Sequence, residues 1–289
     1  MTASIRPSAP REDTAIPAGK QPVRQIPVLV YHNVDPRFEF SFTRVTPRQF
    51  RSHLQMLADS GAHPLTFQSV ISHYQADRRL PERAVVIAFD DAFLGVMEYA
   101  LPLLTHFGFK CSVFPIVNYI GRDNTWDVNV GWFRRRHMSW RDLETLIHEG
   151  HEIGSHGMYH TDLTKLPKRE LVHELRSSRN TLQDHLGRPV DVFSCPFGLY
   201  SDTVGDLAFS VGYTGIALIR KRELVVHPSG GYILPTAGVY RTTTLAGLNR
   251  IQNGVPPSTL SLLTHRLVGA CARLTPQVKR LPDYSIVPE

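Results

Sequence analysis

The chain has 289 residues, 42% of them hydrophobic, enough for one large or two small globular domains. Its formal charge of +6 is spread thinly, with Arg134-Arg135-Arg136 the one tight run, which argues against a nucleic-acid-binding face. Three cysteines at irregular spacing, Cys111, Cys195 and Cys271, exclude a disulfide framework and a cysteine zinc pattern, and no apolar stretch is long enough to span a membrane.

Residues 1–25 are rich in Pro, Ala, Ser and Arg and lack the apolar core of a secretory signal, so they read as a mobile tail and the protein as cytoplasmic. Order begins at Ile26-Pro27-Val28-Leu29-Val30-Tyr31, a strand ending in His32-Asn33. Thr46-Pro47 opens a helix with a capping hydroxyl and Pro at the first position; Phe50, Leu54 and Leu57 share a face and Gly61 closes it. The run Ala84-Val85-Val86-Ile87-Ala88-Phe89 shows no alternation and reads as a strand buried on both faces, ending on Asp90-Asp91. A helix is expected over about 94–107, closed by Gly108, then a strand over 110–117.

Residues 118–137 have no period but hold Trp126, Trp132 and Phe133. A connection of that length suits function, with the tryptophans either stacking on a sugar ring or pinning the loop to the core. The arginine run reads as a solvated loop, with a groove for an anionic ligand as the alternative. Ser139 caps a helix that buries Leu143, Leu146 and Ile147 and stops at Gly150. A short strand over 151–155 leads into His156. Leu171, Leu175, Leu182 and Leu186 mark a long amphipathic helix closed by Gly187. A strand over 190–194, a helix to about Val211, a strand over 213–218 and a last strand near Tyr232 follow. Such alternation predicts a parallel α/β sheet or barrel. Beyond it, Leu260, Leu263, Leu267 and Cys271 make a helical stripe, packed on the domain or, alternatively, lying on a membrane surface.

The chemistry gathers in two clusters. Successive side chains of a strand point to opposite faces, so Asp90 and Asp91 share a cleft only if the chain turns where the strand ends. His156 and His160, four positions apart, meet on a helical face or converge from a turn. With Asp91 as the available carboxylate they offer three ligands for a divalent metal and leave positions open for water and substrate.

Phe89-Asp90-Asp91, then Gly150-His151-Glu152-Ile153-Gly154-Ser155-His156 with His160, then Cys195-Pro196-Phe197-Gly198, resemble the ordered motifs of the polysaccharide deacetylase family, also called NodB-homology or carbohydrate esterase family 4. The likeness runs from about Ile26 to Arg241, and Pro27-Val28-Leu29-Val30-Tyr31-His32-Asn33-Val34 resembles the branch that deacetylates poly-N-acetylglucosamine. The resemblance implies a distorted (β/α)7 barrel over 26–245 and metal-dependent removal of N-acetyl groups from an amino-sugar substrate, while the apolar stripe beyond it reads as a helical extension over 246–289. It implies Asp91, His156 and His160 as ligands of a divalent metal, zinc by preference, Asp90 as general base, and the backbone N–H of Phe197 as an oxyanion donor. It further implies that the histidine serving as general acid lies in an amino-terminal strand, which makes His32 the candidate, while His265 offers the position used in the unpermuted arrangement.

Three residues depart from the family pattern. Ala92 replaces a common Gly, so a positive φ there would strain the turn. Ser194-Cys195 replaces an arginine that orients the base, leaving Arg241 as the substitute, and Cys195 brings a thiol beside the site. Trp126, Trp132 and Arg241 are the expected substrate contacts. The competing readings are a deformylase or deacetylase of a lipid-linked or nucleotide-linked amino sugar, and a non-catalytic sugar-binding relative.

Overall fold

The computed structural model describes residues 24–37, 41–125, 135–219 and 223–255. Trp126, Trp132, the stripe from Leu260 to Cys271, and His265 lie outside the described residues.

Two apolar runs, β1 (Val28–Tyr31) and β2 (Ala84–Asp91), are buried at every position and pair in parallel, Val28 opposite Val86 and Tyr31 opposite Phe89. With β3 (Ser112–Pro115), β4 (Glu152–Ile153), β5 (Val192–Ser194), β6 (Gly215–Ile219) and β7 (Tyr232–Gly238) they form one sheet in the order β4-β3-β2-β1-β7-β6-β5. Its two ends meet. Ser155 bridges Phe193 in parallel, its N–H donating to Val192 O at 2.9 Å while Ser194 N–H donates to Ser155 O at 2.9 Å. The strands therefore follow one another round a ring in chain order, and β1 fills the gap between β2 and β7. This is the distorted barrel expected from sequence.

Residue parity along the strands separates two cores. Leu29, Tyr31, Val85, Ile87 and Phe89 pack outward with helix residues. Val28, Val30, Val86 and Ala88 face inward with Phe114, Val192, Ala217 and Leu234. The same inner cluster includes Phe67, Val70 and Ile71 of a helix at Phe67–Gln75, so that helix plugs the end where the strands begin. Its amide at Phe67 donates to Ser112 Oγ at the start of β3. The opposite end, where the strands finish, is left for a site.

The outer helices begin and stop where their capping residues dictate. Pro47–Asp59 is α1, with Thr46 Oγ1 accepting from Gln49 N–H at 3.1 Å and Phe50, Leu54 and Leu57 buried. The plug, α2, and a short strand at His63–Leu65 beside β2 were not read from the sequence, because nine helical residues carry too little period to stand out. The expected helix over 94–107 is divided: Val96–Ala100 winds as a π-helix and α3 spans Leu101–Phe107. Pro102 has no N–H to continue the ordinary ladder, and just before it Leu101 N–H reaches back to Val96 O. Helix α4 (Trp140–His148) has the Ser139/Asp142 capping box, and α5 (Lys168–Leu186) ends at Gly187 with φ +62°. Helix α6 (Asp202–Ser210) joins β5 to β6. After β7, α7 (Leu245–Gln252) rests on α1, with Gln252 Nε2 donating to Ser60 Oγ at 2.6 Å; the expected domain boundary at residue 245 falls at its first residue. Among the described residues no helix is long and apolar enough to cross a membrane.

At the seam of the barrel Gly154 has no room for a side chain, since a Cβ there would meet the Phe114 ring and lie 2.8 Å from Val192 O. Gly154→Ala is expected to cost about 1–3 kcal/mol of stability, seen as a thermal midpoint lower by about 2–4 °C per kcal/mol. An unchanged midpoint would mean that the seam does not close as described.

Candidate active site

The inward parity of Val86 and Ala88 carries to Asp90, which enters the mouth of the barrel from β2 without further adjustment. Asp91, of the opposite parity, would face the helix layer if the strand simply continued. Instead the backbone goes left-handed at two successive residues, Asp91 with φ +67° and Ala92 with φ +53°, which turns the chain and brings the second carboxylate to the same cleft. The strain expected at Ala92 is therefore present, on the order of 1–2 kcal/mol for each L-residue in this region.

His156 and His160 come from the loop after β4 and converge from a turn, not from a helical face. Glycine at 157 has φ +85° and His160 has φ +54°. Both Nε2 atoms lie 3.6 Å from Asp91 Oδ1, and the three ligand atoms sit within 4.8 Å of one another. His156 Nδ1 donates to Ser194 O at 2.8 Å, so its Nε2 carries the lone pair and points to the carboxylate. Two neutral imidazoles and a carboxylate at this spacing fit an ion held at about 2.0–2.2 Å. All three side chains are buried, which keeps the donors dry and pulls the His156 pKa down to about 4.

Asp90 is also buried, and burial lifts its pKa to about 6 against the opposing pulls of His32 and a hydrogen bond from Ser194. One side-chain oxygen, Oδ1, is buried with no hydrogen-bond partner among the described residues. His32, just past β1, is drawn down to about 4 by burial, with Asp90 pulling it up and His156 and Arg135 pushing it further down. The first and second β-strands are neighbours, so His32 and Asp90 share one rim. Phe197 adopts φ +59° and sets its ring edge-on to His160, centroids 4.3 Å apart.

Where the family pattern has an arginine, Ser194 stands beside Asp90 and pulls its pKa down against the effect of burial, while Ser194 O accepts from His156 Nδ1, so the end of β5 meets both residues. Arg241 lies exposed beyond β7, its N–H donating to Phe42 O and its carbonyl accepting from Gln49 Nε2 at 3.1 Å. Arg135 of the arginine run covers the face of Phe93 at 4.7 Å. Cys195 is buried and its thiol is pushed well up, first by burial and then by the charge of Asp90, so it is no thiolate nucleophile. Glu174 of α5 was read only as part of an amphipathic helix, yet Oε1 accepts from Met158 N–H at 2.8 Å and Tyr159 N–H at 2.9 Å, pinning the loop between the two histidines. The one available signal was an acid between Leu171 and Leu175, on the apolar stripe of that helix.

Comparison with known proteins agrees with this geometry. Residues 77–216 match the polysaccharide deacetylase family profile. The chain is 24% identical over 202 residues to a Bacillus subtilis protein described as a polysaccharide deacetylase, YxkH, covering 70% of this chain and 67% of that one. It is 23% identical over 162 residues to the poly-β-1,6-N-acetyl-D-glucosamine N-deacetylase of Staphylococcus aureus, covering 55% of each. Among solved structures, the Streptococcus pyogenes deacetylase PplD superposes with a TM-score of 0.68 at 18% identity, over 79% of this chain and 98% of that one. IcaB from Ammonifex degensii superposes with a TM-score of 0.65 at 22% identity, over 80% and 96%. Fold and profile together define a polysaccharide deacetylase domain, the catalytic unit of a class of carbohydrate N-deacetylases, which are hydrolases. Residues 77–216 carry the match to that family.

If the three converging side chains hold a metal, wild-type protein reconstituted with zinc should retain about one ion per chain after desalting, and His156→Ala and His160→Ala should lose most of it. Equal metal in all three, measured by mass spectrometry, would remove the site.

Proposed function

We propose that this chain is a zinc-dependent N-deacetylase of an N-acetylated amino-sugar polymer, of the poly-β-1,6-N-acetylglucosamine type named for its Staphylococcus aureus relative. The observation that carries the reading is the convergence of Asp91, His156 and His160 beside a second, buried carboxylate whose pKa lies near neutrality. When bound, a divalent ion supplies a Lewis acid for the acetyl carbonyl and lowers the pKa of water. The other steps belong to the chain. Asp90 Oδ1 accepts the proton of the attacking water, and its raised pKa of about 6 suits a base working near neutral pH. The backbone N–H of Phe197 donates to the carbonyl oxygen as it becomes anionic. His32 delivers a proton to the departing nitrogen, so that acetate and a free amine leave. Its pKa near 4 makes it neutral at rest and a strong acid once protonated, and the proton it passes on is the one Asp90 has taken from water. Trp126 and Trp132 supply stacking surfaces for flanking sugars, and Arg241 an exposed cation at the rim.

Asp90→Asn keeps the shape of the side chain and removes the proton acceptor, so acetate release from an N-acetylglucosamine oligomer should fall by about 10²–10⁴-fold with metal content unchanged. Metal loss in this variant would instead show that the two acids have exchanged roles. His32→Ala should depress turnover over a similar range, about 10²–10⁴-fold, again with metal retained, while His265→Ala has little effect. The reverse outcome, a silent His32 and a damaging His265, would place the general acid after the barrel.

A further inference from the structure

Asp91 and Ala92 hold left-handed backbone conformations that neither side chain favours, and such conformations persist only where neighbouring structure imposes them. What imposes this one is the segment that begins at the last residue of the arginine run. Residues 136–138 lie antiparallel along the turn, with Phe93 and His137 forming a β-bridge. Leu94 N–H donates to Arg136 O at 2.8 Å, and Met138 N–H donates to Ala92 O at 2.8 Å. Between them His137 Nδ1 bonds Asp91 O at 2.7 Å. The acceptor is a carbonyl, so Nδ1 carries the hydrogen.

The two outer bonds are backbone to backbone and any residue could make them. The central one needs a side chain whose donor stands at the Nδ1 position. It acts on the carbonyl of the peptide joining Asp91 to Ala92, and the orientation of that peptide sets ψ of the first residue and φ of the second. The ring that makes the bond is itself buried and fixed, lying against Phe93 with centroids 4.6 Å apart and against Tyr119 at 5.6 Å. His137 N–H is anchored in turn to Arg122 O at 2.9 Å.

We propose that His137 is a positioning residue for the metal ligand Asp91: its Nδ1–H locks the strained peptide after Asp91 and so aims the carboxylate at His156 and His160. Its bond is to the backbone of Asp91, and it explains how Ala at position 92 is tolerated where a glycine would turn freely. The inference rests on the reading of Asp91, His156 and His160 as a metal site.

Zinc affinity, measured by competition with a chromophoric chelator, separates this role from packing. His137→Phe keeps an aromatic ring against Phe93 and Tyr119 but has no donor. His137→Asn loses the ring but places Nδ2 where Nδ1 stood. With folding of each apo protein verified by circular dichroism, His137→Phe should bind zinc about 10- to 100-fold more weakly than wild type. His137→Asn should recover most of that affinity while melting at a lower temperature. Wild-type affinity in His137→Phe would overturn the proposal, as would an Asn variant that binds as weakly as the Phe variant while still folded. His156→Ala is run beside them: if the wild-type chain binds zinc no better than that variant, it is the metal site, and with it the proposed function, that fails.

Discussion

The mouth of this barrel depends on a backbone turn that L-residues resist. Strand parity delivers one acid of Asp90-Asp91 to the interior and would send the other outward to the helices. Two left-handed residues reverse that assignment for Asp91, and the placing of both carboxylates at one mouth follows from the reversal. The cost, on the order of 1–2 kcal/mol per residue, is met locally by bonds from residues 136–138 onto the turn. His160 and Phe197 are also left-handed. Strained backbone is thus gathered at the site, consistent with side chains held in place before any substrate arrives.

The two ends of the sheet meet under this site. Ser155 closes the ring against β5 one residue before His156, and Ser194, on the far side of the seam, bonds His156 and stands beside Asp90. Closure of the barrel and orientation of the chemistry therefore share residues. An arginine in place of Ser194 would bring a charge to Asp90; with the uncharged hydroxyl there, burial keeps the carboxyl's pKa raised. That difference suits the proton-accepting role proposed for Asp90 near neutral pH.

Much of this was legible in the sequence, for physical reasons. A buried strand ending on two acids requires a turn, and the turn is there. Thr46-Pro47, the Ser139 capping box and Gly187 fixed their helix ends because capping chemistry is local. The convergence of Asp91 with His156 and His160 followed from motif order. What the sequence could not show were interactions made across the fold. The plug helix α2 is short and owes its place to the barrel interior. Glu174 looks like any helix acid until its partners at Met158 and Tyr159 are known. Ser194 and His137 act on backbone and side chains far away in sequence, and Arg241, offered as a substitute for the missing arginine, lies exposed beyond β7, whereas Ser194 at the end of β5 stands beside Asp90. The π-wound turn before Pro102 was hidden because an apolar period does not distinguish α from π winding over five residues.

The central claim is that the turn makes Asp91 the ligand and leaves Asp90 as the base. Anomalous scattering at the zinc absorption edge, from crystals grown with the metal, reads that division of labour directly. The account predicts one peak at about 2.0–2.2 Å from an Asp91 carboxylate oxygen and the Nε2 atoms of His156 and His160, with both oxygens of Asp90 beyond bonding distance. A peak bonded to Asp90 in place of Asp91, or density at some other set of side chains, would contradict it.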